Sequence, residues 1–454
     1  MLWSEGSGKM GAMLGPMGGD VEGLRVGMLG CGAVGTGVAR LLVEHGRPVR
    51  DRAGVPIALQ RVAVRDVTRK RDPAVDPTMV SGDAAAVVAD PEVDVVVEVM
   101  GGIEPARSLI LEAIRLGKPV VTANKELLAA HGGELFDAAD AAGVDLRFEA
   151  AVGGAIPIVA PLKESLAGDR VRRVLGIVNG TTNYVLWRMT STGAGYAEAL
   201  AEATELGYAE PDPSADVEGF DAAAKCAILA SLAFNTRVVS GDVYREGITG
   251  VTAADILAAR RMGYTVKLLA IAEEIDGEVS ARVHPAMVPD AHPLAGVTEA
   301  YNAVFVEGDA VGRLMFYGRG AGGRPTGSAV LGDLVAVARA RQQGARGVGC
   351  TCVYRRRVRG MADVDTQYYV ALDVADRPGV LAQVAAVFAE HGVSIRSVLQ
   401  RGKGEEAQLV LVTHLAREGA VQRVLEDLRG LPVVGNLASA MRVEGEEADE
   451  VLGW

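Results

Sequence analysis

Cysteine is nearly missing from this chain of 454 residues. The four present, Cys31, Cys226, Cys350 and Cys352, make neither a disulfide framework nor a four-ligand zinc spacing. The Cys350-x-Cys352 pair reads as incidental rather than as a metal site. No apolar run approaches about 18 residues, which excludes an expected membrane-spanning helix. The first 23 residues are rich in Gly and Met but hold no apolar signal core, so secretion is not expected and a cytoplasmic location is. They read as a disordered tail or as the product of a start site placed too early. A basic excess is also lacking: the net charge is −12, which argues against general nucleic-acid binding. Lysine is scarce. Only eight of the 46 basic residues are lysines, leaving 38 arginines. Where arginine is the default cation, a lysine more often stands where a removable proton is wanted. What remains is ordinary for a water-borne globular protein, 49% hydrophobic and 23% charged, with length for about three domains.

One lysine stands out. Gly207-Tyr208-Ala209-Glu210-Pro211-Asp212-Pro213-Ser214-Ala215-Asp216 is an acidic stretch that Pro211 and Pro213 hold out of regular helix. It runs into an Ala-rich segment that favours helix and carries Asp221 and Lys225. Four apart, these two share a helix face. A solvated Asp–Lys pair is the plain reading. Crowding by carboxylates and entry into an apolar helix favour a tuned proton carrier.

The N-terminal part reads as a dinucleotide-binding fold. Leu24 to Leu29 is an apolar strand, Gly30-Cys31-Gly32-Ala33-Val34-Gly35 follows, and Val38 to Glu44 is helical. Strand, G-x-G-x-x-G and helix in that order are the context the fingerprint requires. Gly30 permits the tight turn, Gly32 the approach of a pyrophosphate, and Gly35 close packing, with the helix N-terminus drawing phosphates. A second strand, Leu59 to Val64, follows an apparent inserted loop, His45 to Ala58, and ends at Arg65-Asp66. Arg65, with Arg69, Lys70 and Arg71, suits a 2′-phosphate and leans toward NADP. A solvated basic turn is the plainer reading, and Asp66 leaves NAD open. Strands Val93 to Val99 and Pro119 to Val121 end at Gly101-Gly102 and Thr122-Ala123-Asn124-Lys125. Both endings fall at the carboxyl edge of a parallel sheet, where ligands bind; Lys125 there is either a contact or a helix-start residue.

Residues 151–320 read as a second α/β unit. Glu149 opens a Gly-rich turn through Val152, Gly154 and Ile156, which by itself reads as a tight turn into a helix. Val171 to Val178 is a strand into Asn179-Gly180-Thr181-Thr182-Asn183, a cluster of donors that turn chemistry also explains. A glycine-rich loop around Gly320 precedes an apolar helix, Ser328 to Ala338, expected to return to the first domain and complete it over about 320–345. Residues 346–366 read as a linker. Residues 367–443 then follow a βαββαβ order, a ferredoxin-like plan, with Asp376-Arg377-Pro378-Gly379 opening its first helix.

With these motifs placed, the chain resembles homoserine dehydrogenases of the bacterial type with a C-terminal ACT domain. The Gly207–Lys225 stretch carries the resemblance most specifically. Asn179-Gly180-Thr181-Thr182-Asn183, Thr122-Ala123-Asn124-Lys125 and Asp376-Arg377-Pro378-Gly379-Val380-Leu381 reinforce it. The resemblance implies an α/β chain in three parts: a Rossmann-type domain (24–150), a catalytic and dimerisation domain (151–320) and an ACT domain. It implies reversible NAD(P)H-dependent reduction of L-aspartate 4-semialdehyde to L-homoserine, on the route to threonine and methionine. It assigns Lys225 as proton donor with Lys125 and Asp216 beside it. Glu210 and Asp221, with Gly180 and Thr181, take the substrate. Gly30, Gly32, Ala33, Val34, Gly35, Arg65, Gly101, Thr122, Lys125, Gly207 and Gly320 take the cofactor. Glu149 with Val152, Gly154 and Ile156 matches a monovalent-cation (Na⁺) site. Asp376 and Gly379 fall in the effector region, with L-threonine the expected effector and a homodimer or homotetramer the expected assembly. Two other readings stay open at this stage, an amino-acid sensor without turnover and a dehydrogenase for another semialdehyde.

Overall fold

The computed structural model describes residues 23–402 and 407–445; the expected tail, apart from Gly23, lies outside them. In chain order, β1 (Leu24–Leu29), α1 (Ala33–Glu44), α2 (Gly46–Ala53), β2 (Ile57–Ala63), β3 (Val80–Ser81), α3 (Ala84–Ala89), β4 (Val95–Glu98), α4 (Ala106–Arg115), β5 (Val120–Thr122), α5 (Lys125–Ala142) and β6 (Leu146–Arg147) build the first unit. Its strands run parallel in the order β3-β2-β1-β4-β5-β6. Helices cover both faces, so β4 is buried at every position, three valines followed by Glu98. The order reverses between β1 and β4, and that switch point opens the crevice of a doubly wound sheet.

The stretch 45–58 is not the loop its composition suggested. Residues Gly46–Ala53 form α2, which Gly54 ends in the left-handed conformation at φ 82°. The arginines here are good helix formers, and a glycine just past the last turn is the ordinary stop signal.

The second unit contains β7 (Val171–Ile177), α6 (Gly180–Thr192), α7 (Tyr196–Glu205), α8 (Ser214–Val217), α9 (Phe220–Ala233), β8 (Tyr244–Arg245), α10 (Ala253–Arg261), β9 (Tyr264–Ile275), β10 (Glu278–Pro289), β11 (Tyr301–Gly308) and β12 (Gly312–Arg319). Helix α11 (Gly323–Gln342) then returns to the first unit as expected. It crosses α1 at backbone distance: a Cβ on Gly327 would lie 2.9 Å from the Gly37 carbonyl carbon, and one on Gly37 would overlap the Gly323 carbonyl. Only glycines permit that approach.

The C-terminal unit comprises β13 (Asp365–Val374), α12 (Val380–Glu390), β14 (Ile395–Arg401), β15 (Ala407–Thr413), β16 (Ala416–Arg417), α13 (Glu418–Gly430) and β17 (Val434–Val443). Apart from the short β16, this is the expected βαββαβ order, and the unit has an apolar cluster of its own. It is not a separate body, however. Strand β17 pairs parallel with β10 through Ala286–Arg442 and Met287–Val443, so one sheet runs β12-β11-β7-β9-β10-β17-β13-β15-β14. Glu444, just past β17, is buried between Arg282 and Arg173.

The segment expected as a linker is tied down as well. Tyr354 N donates to Asn235 O at 2.9 Å, Val279 N to Arg357 O at 3.0 Å and Arg359 N to Val279 O at 2.8 Å. Arg356 pairs with Glu274, and Arg359 with Glu278. Its arginines answer carboxylates on β9 and β10, which composition alone does not disclose.

Candidate active site

Helix α9 begins after Gly219, whose φ of 83° makes a left-handed entry. Asp221 therefore sits in the first turn, where the helix dipole favours an anion, and Lys225 one turn on. Lys225 is buried and its Nζ donates to Val178 O at 2.7 Å, at the end of β7, and to Asp221 Oδ2 at 2.7 Å. Lys125, the first residue of α5, comes from the other unit and places its Nζ 3.1 Å from Asp221 Oδ1. One carboxylate, 8% exposed, thus stands between two ammonium groups. Burial pushes the Asp221 carboxyl up, but Lys225, then Lys125, and the hydrogen bonds from Lys225 and Asn179 bring it down to about 2. The Asp221 charge in turn raises Lys125, against its own burial.

Asn179 ties this pair to Asp216. Its Oδ1 caps α6 by accepting from Thr182 N at 2.9 Å, while Nδ2 donates to Asp216 Oδ1 at 2.6 Å and Asp221 Oδ2 at 2.8 Å. Thr181 Oγ1 lies 2.8 Å from Asp216 Oδ2 and 2.7 Å from Tyr208 O. Sequence reading placed Asn179 with Gly180 and Thr181 in a cluster of donors but did not name it as a site residue. Its place as an N-cap, a position Asn favours, was the available signal. Gly180 is needed beside it, because a Cβ there would meet Ala300 O at 2.9 Å. Glu210 is exposed and, among the described residues, makes no ion pair or hydrogen bond with this network. Gly207 ends the turn after α7 at φ 75°.

The crevice at the switch point suits a dinucleotide. A Cβ on Gly30 (φ 99°) would lie 2.7 Å from Val99 O, and one on Gly35 2.6 Å from Gly30 O. A Cβ on Gly32 meets nothing within 4 Å. Two glycines thus close the turn and the third leaves an open cradle, with Ala33 and Val34 opening α1 behind it. Across the crevice, Glu98 is fully buried. Its Oε1 accepts from Met100 N at 2.8 Å and Gly101 N at 3.2 Å, and its Oε2 from Thr122 Oγ1 at 2.7 Å. The Thr122 hydroxyl is thereby tied to the Glu98 carboxylate, its register partner on the neighbouring strand. Asn124 caps α5 and donates to Gly102 O at 2.7 Å, locking the two loops together. Neither Glu98 nor Asn124 was singled out from sequence.

Arg65 is exposed past the end of β2. Asp66 Oδ1 accepts from Thr68 N at 2.9 Å and Arg69 N at 3.3 Å, capping its own turn. Arg71 donates to Asp66 O at 2.5 Å and reaches Cys31 O in the fingerprint loop at 3.4 Å.

Glu149 is buried, and its carboxylate accepts three backbone N–H bonds, from Ile158 at 2.6 Å, Val159 at 2.8 Å and Ala160 at 2.8 Å. Gly153 and Gly154 follow at φ 70° and 57°. A Cβ on Gly154 would overlap Gly320 O, so this turn abuts the loop before α11. Asp333 of α11 accepts from Glu149 N at 2.9 Å, and burial pushes its carboxyl up to about 7. In the C-terminal unit, Asp376 Oδ1 accepts from Gln400 Nε2 at 3.1 Å, and Gly379 enters α12 at φ 89°.

The chain is similar to known proteins along most of its length. Residues 30–149 match the family model "Homoserine dehydrogenase, NAD binding domain", residues 157–335 the model "Homoserine dehydrogenase" and residues 368–433 the ACT domain. The chain is 52% identical to the homoserine dehydrogenase of Corynebacterium glutamicum, over 92% of this chain and 95% of that one. It is 53% identical to the homoserine dehydrogenase of Mycobacterium tuberculosis, over 94% and 99%. A solved homoserine dehydrogenase from Thiobacillus denitrificans superposes with a TM-score of 0.89 at 40% identity, covering 93% of this chain and 99% of that one. With a nicotinamide-dinucleotide crevice, a two-lysine carboxylate site and an ACT unit in one chain, the protein belongs to the homoserine dehydrogenase family.

Proposed function

We propose that Lys225 is the group that gives up a proton as L-aspartate 4-semialdehyde is reduced to L-homoserine, and takes one up in reverse. The observation that carries this reading is the Lys225–Asp221–Lys125 triplet at the mouth of the crevice. The nicotinamide, when bound, supplies the hydride. Hydride arrival leaves an alkoxide on the former aldehyde oxygen, which must be protonated. Lys225 delivers that proton and its charge stabilises the oxygen beforehand. Lys125 faces the crevice from the cofactor unit and adds positive potential, while Asp221 holds both lysines in place. Asp216, and Glu210 on its exposed loop, complement the substrate's ammonium group, with Gly180 and Thr181 lining the same corner. The experiment is oxidation of reduced cofactor with aspartate semialdehyde by the full chain. Absence of turnover with either cofactor would sink the reading.

NADP(H) is the proposed cofactor. Support comes from the exposed Arg65 with Arg69, Lys70 and Arg71, and from Asp66 being turned into its own cap. A charge-assisted hydrogen bond contributes about 1.5–3 kcal/mol. Arg65→Ala is therefore expected to lower kcat/KM with NADPH by roughly tenfold or more and to leave NADH unchanged. Equal loss with both cofactors would remove Arg65 from phosphate recognition.

A monovalent cation such as Na⁺ is proposed at Glu149 with the carbonyls of Val152, Gly154 and Ile156. The donors are all oxygen, as a hard cation prefers, and a carboxylate accepting three N–H bonds keeps a lone pair. Its part would be to stiffen the turn against Gly320.

L-threonine is the proposed effector, taken at the turn Asp376 to Gly379, where a helix start suits a carboxylate. Deleting the C-terminal unit is a poor test, because it strips Glu444 from the buried Arg282. Asp376→Ala in the full chain is the better one. Inhibition by threonine is expected to weaken at least tenfold with uninhibited kcat preserved; an unchanged inhibition curve would show that the turn is not the effector site. Among the described residues no helix is long and apolar enough to cross a membrane, in keeping with the proposed cytoplasmic location. The outer strand β12, with Met315 37% and Tyr317 52% exposed, offers an edge for a second copy in a homodimer or homotetramer.

A further inference from the structure

We propose that Cys350 and Cys352 form a redox-responsive dithiol, one that exchanges with small-molecule disulfides and closes to an intrachain disulfide. Cys352 N donates to Cys350 Sγ at 3.4 Å, so the first sulfur is folded back over the second residue. Both are only partly buried. They line a small cleft of about 40 Å³ with Phe136, Phe148, Ile228 and Leu232, and Lys163 stands at the same cleft. The other two cysteines contrast with this. Cys226 is fully enclosed, its thiol 3.5 Å from Ile271 O and 3.7 Å from Arg282 O, and burial pushes it up to about 12. Cys31 is buried beside Thr36.

The charges around the pair favour a thiolate on Cys350. The Cys352 thiol, first, and then the Cys352 N–H and the Arg237 guanidinium hold Cys350 down to about 6, against its burial and the Asp140 carboxylate. Asp140 accepts from Cys350 N at 3.2 Å, and Arg237 is itself paired with Asp137. Lys163 donates to Val348 O at 2.9 Å and lines the cleft with both cysteines. A thiolate, not a thiol, is the attacking species in disulfide exchange.

The steps balance. Cys350 Sγ attacks one sulfur of R–S–S–R, forming a mixed disulfide and expelling R–S⁻. Cys352, losing its proton to solvent, attacks the Cys350 sulfur and expels the second R–S⁻. The two thiols are oxidised to one disulfide and the reagent is reduced to two thiols. Closure also takes away the proton that Cys352 Sγ shares with Ser231 O at 3.8 Å and Thr236 O at 3.6 Å. Ser231 lies in the last turns of α9, the helix that carries Lys225, so the disulfide acts on the far end of the catalytic helix.

The test treats the folded full chain with the aromatic disulfide 5,5′-dithiobis(2-nitrobenzoate), then reads mass and peptide maps. In wild type the peptide spanning 347–355 is expected to lose two hydrogens and keep no reagent, and dithiothreitol should restore it. Cys352→Ser should stop at the mixed disulfide on Cys350, and Cys350→Ser should react far more slowly at Cys352. Alkylation of Cys350 by iodoacetamide should reach half its limiting rate at a pH below the ordinary thiol value of about 8.5. A reagent half retained on wild-type Cys350, reaction at Cys31 before Cys350, or an alkylation midpoint in the ordinary thiol range would each overturn the proposal.

Discussion

Lys225→Ala is expected to remove nearly all turnover, lowering kcat by about 10²–10⁴-fold, the usual worth of one proton-transfer group. Cofactor affinity should be nearly unchanged, because Lys225 hydrogen-bonds Val178 and Asp221 rather than the glycine loop. Folding should also survive, since Lys125 still neutralises Asp221. Lys225→Arg separates charge from proton supply. A guanidinium keeps the positive charge but gives up its proton far less readily, so this variant too is expected to be nearly inactive. Steady-state rates in both directions, with cofactor binding followed by fluorescence, are the measurement. A Lys225→Arg enzyme with near wild-type kcat would mean that charge alone does the work and that another group carries the proton.

Asp221→Ala is expected to damage both rate and stability. The carboxylate is the anion between two ammonium groups and an acceptor for Asn179. Removing one partner of a buried ion pair costs about 3–5 kcal/mol, and here the lysines would also repel each other. Because the folded-state carboxyl is held near 2, below its unfolded value of about 3.9, its stabilisation is fully present above about pH 4. It is lost as pH falls from there toward 2. Acid unfolding of wild type should therefore show a stability loss in that window that Asp221→Ala lacks, while the variant should melt lower at neutral pH. Equal acid sensitivity of the two proteins would contradict the placement of this charge.

Much of the site was legible because its parts are local in sequence. The fingerprint glycines are contiguous, and each one's task follows from a turn that β1 and α1 impose. Asp221 and Lys225 meet because α9 is alanine-rich and places residues four apart on one face. Thr122 to Lys125 reads correctly as a strand end running into a helix. It does not reveal that the threonine hydroxyl bonds Glu98, because strand pairing brings together residues 24 apart in sequence. Residues 45–58 were misread as a loop because a short arginine-rich helix carries little apolar periodicity.

The order of the three units, the crevice that takes the dinucleotide and the lysine entering an apolar helix are all readable from local spacing. Each rests on spacing within a few residues, where backbone geometry leaves little choice. Only the tertiary structure decided that Asn179 bridges Asp216 and Asp221 from 37 and 42 residues away. The same holds for Lys125 completing the triplet from another unit, and for β17 joining β10 so that the ACT unit and the second unit share one sheet. Those contacts depend on where separate elements pack. Hydrophobic burial drives that packing without regard to sequence distance, so no local pattern records it.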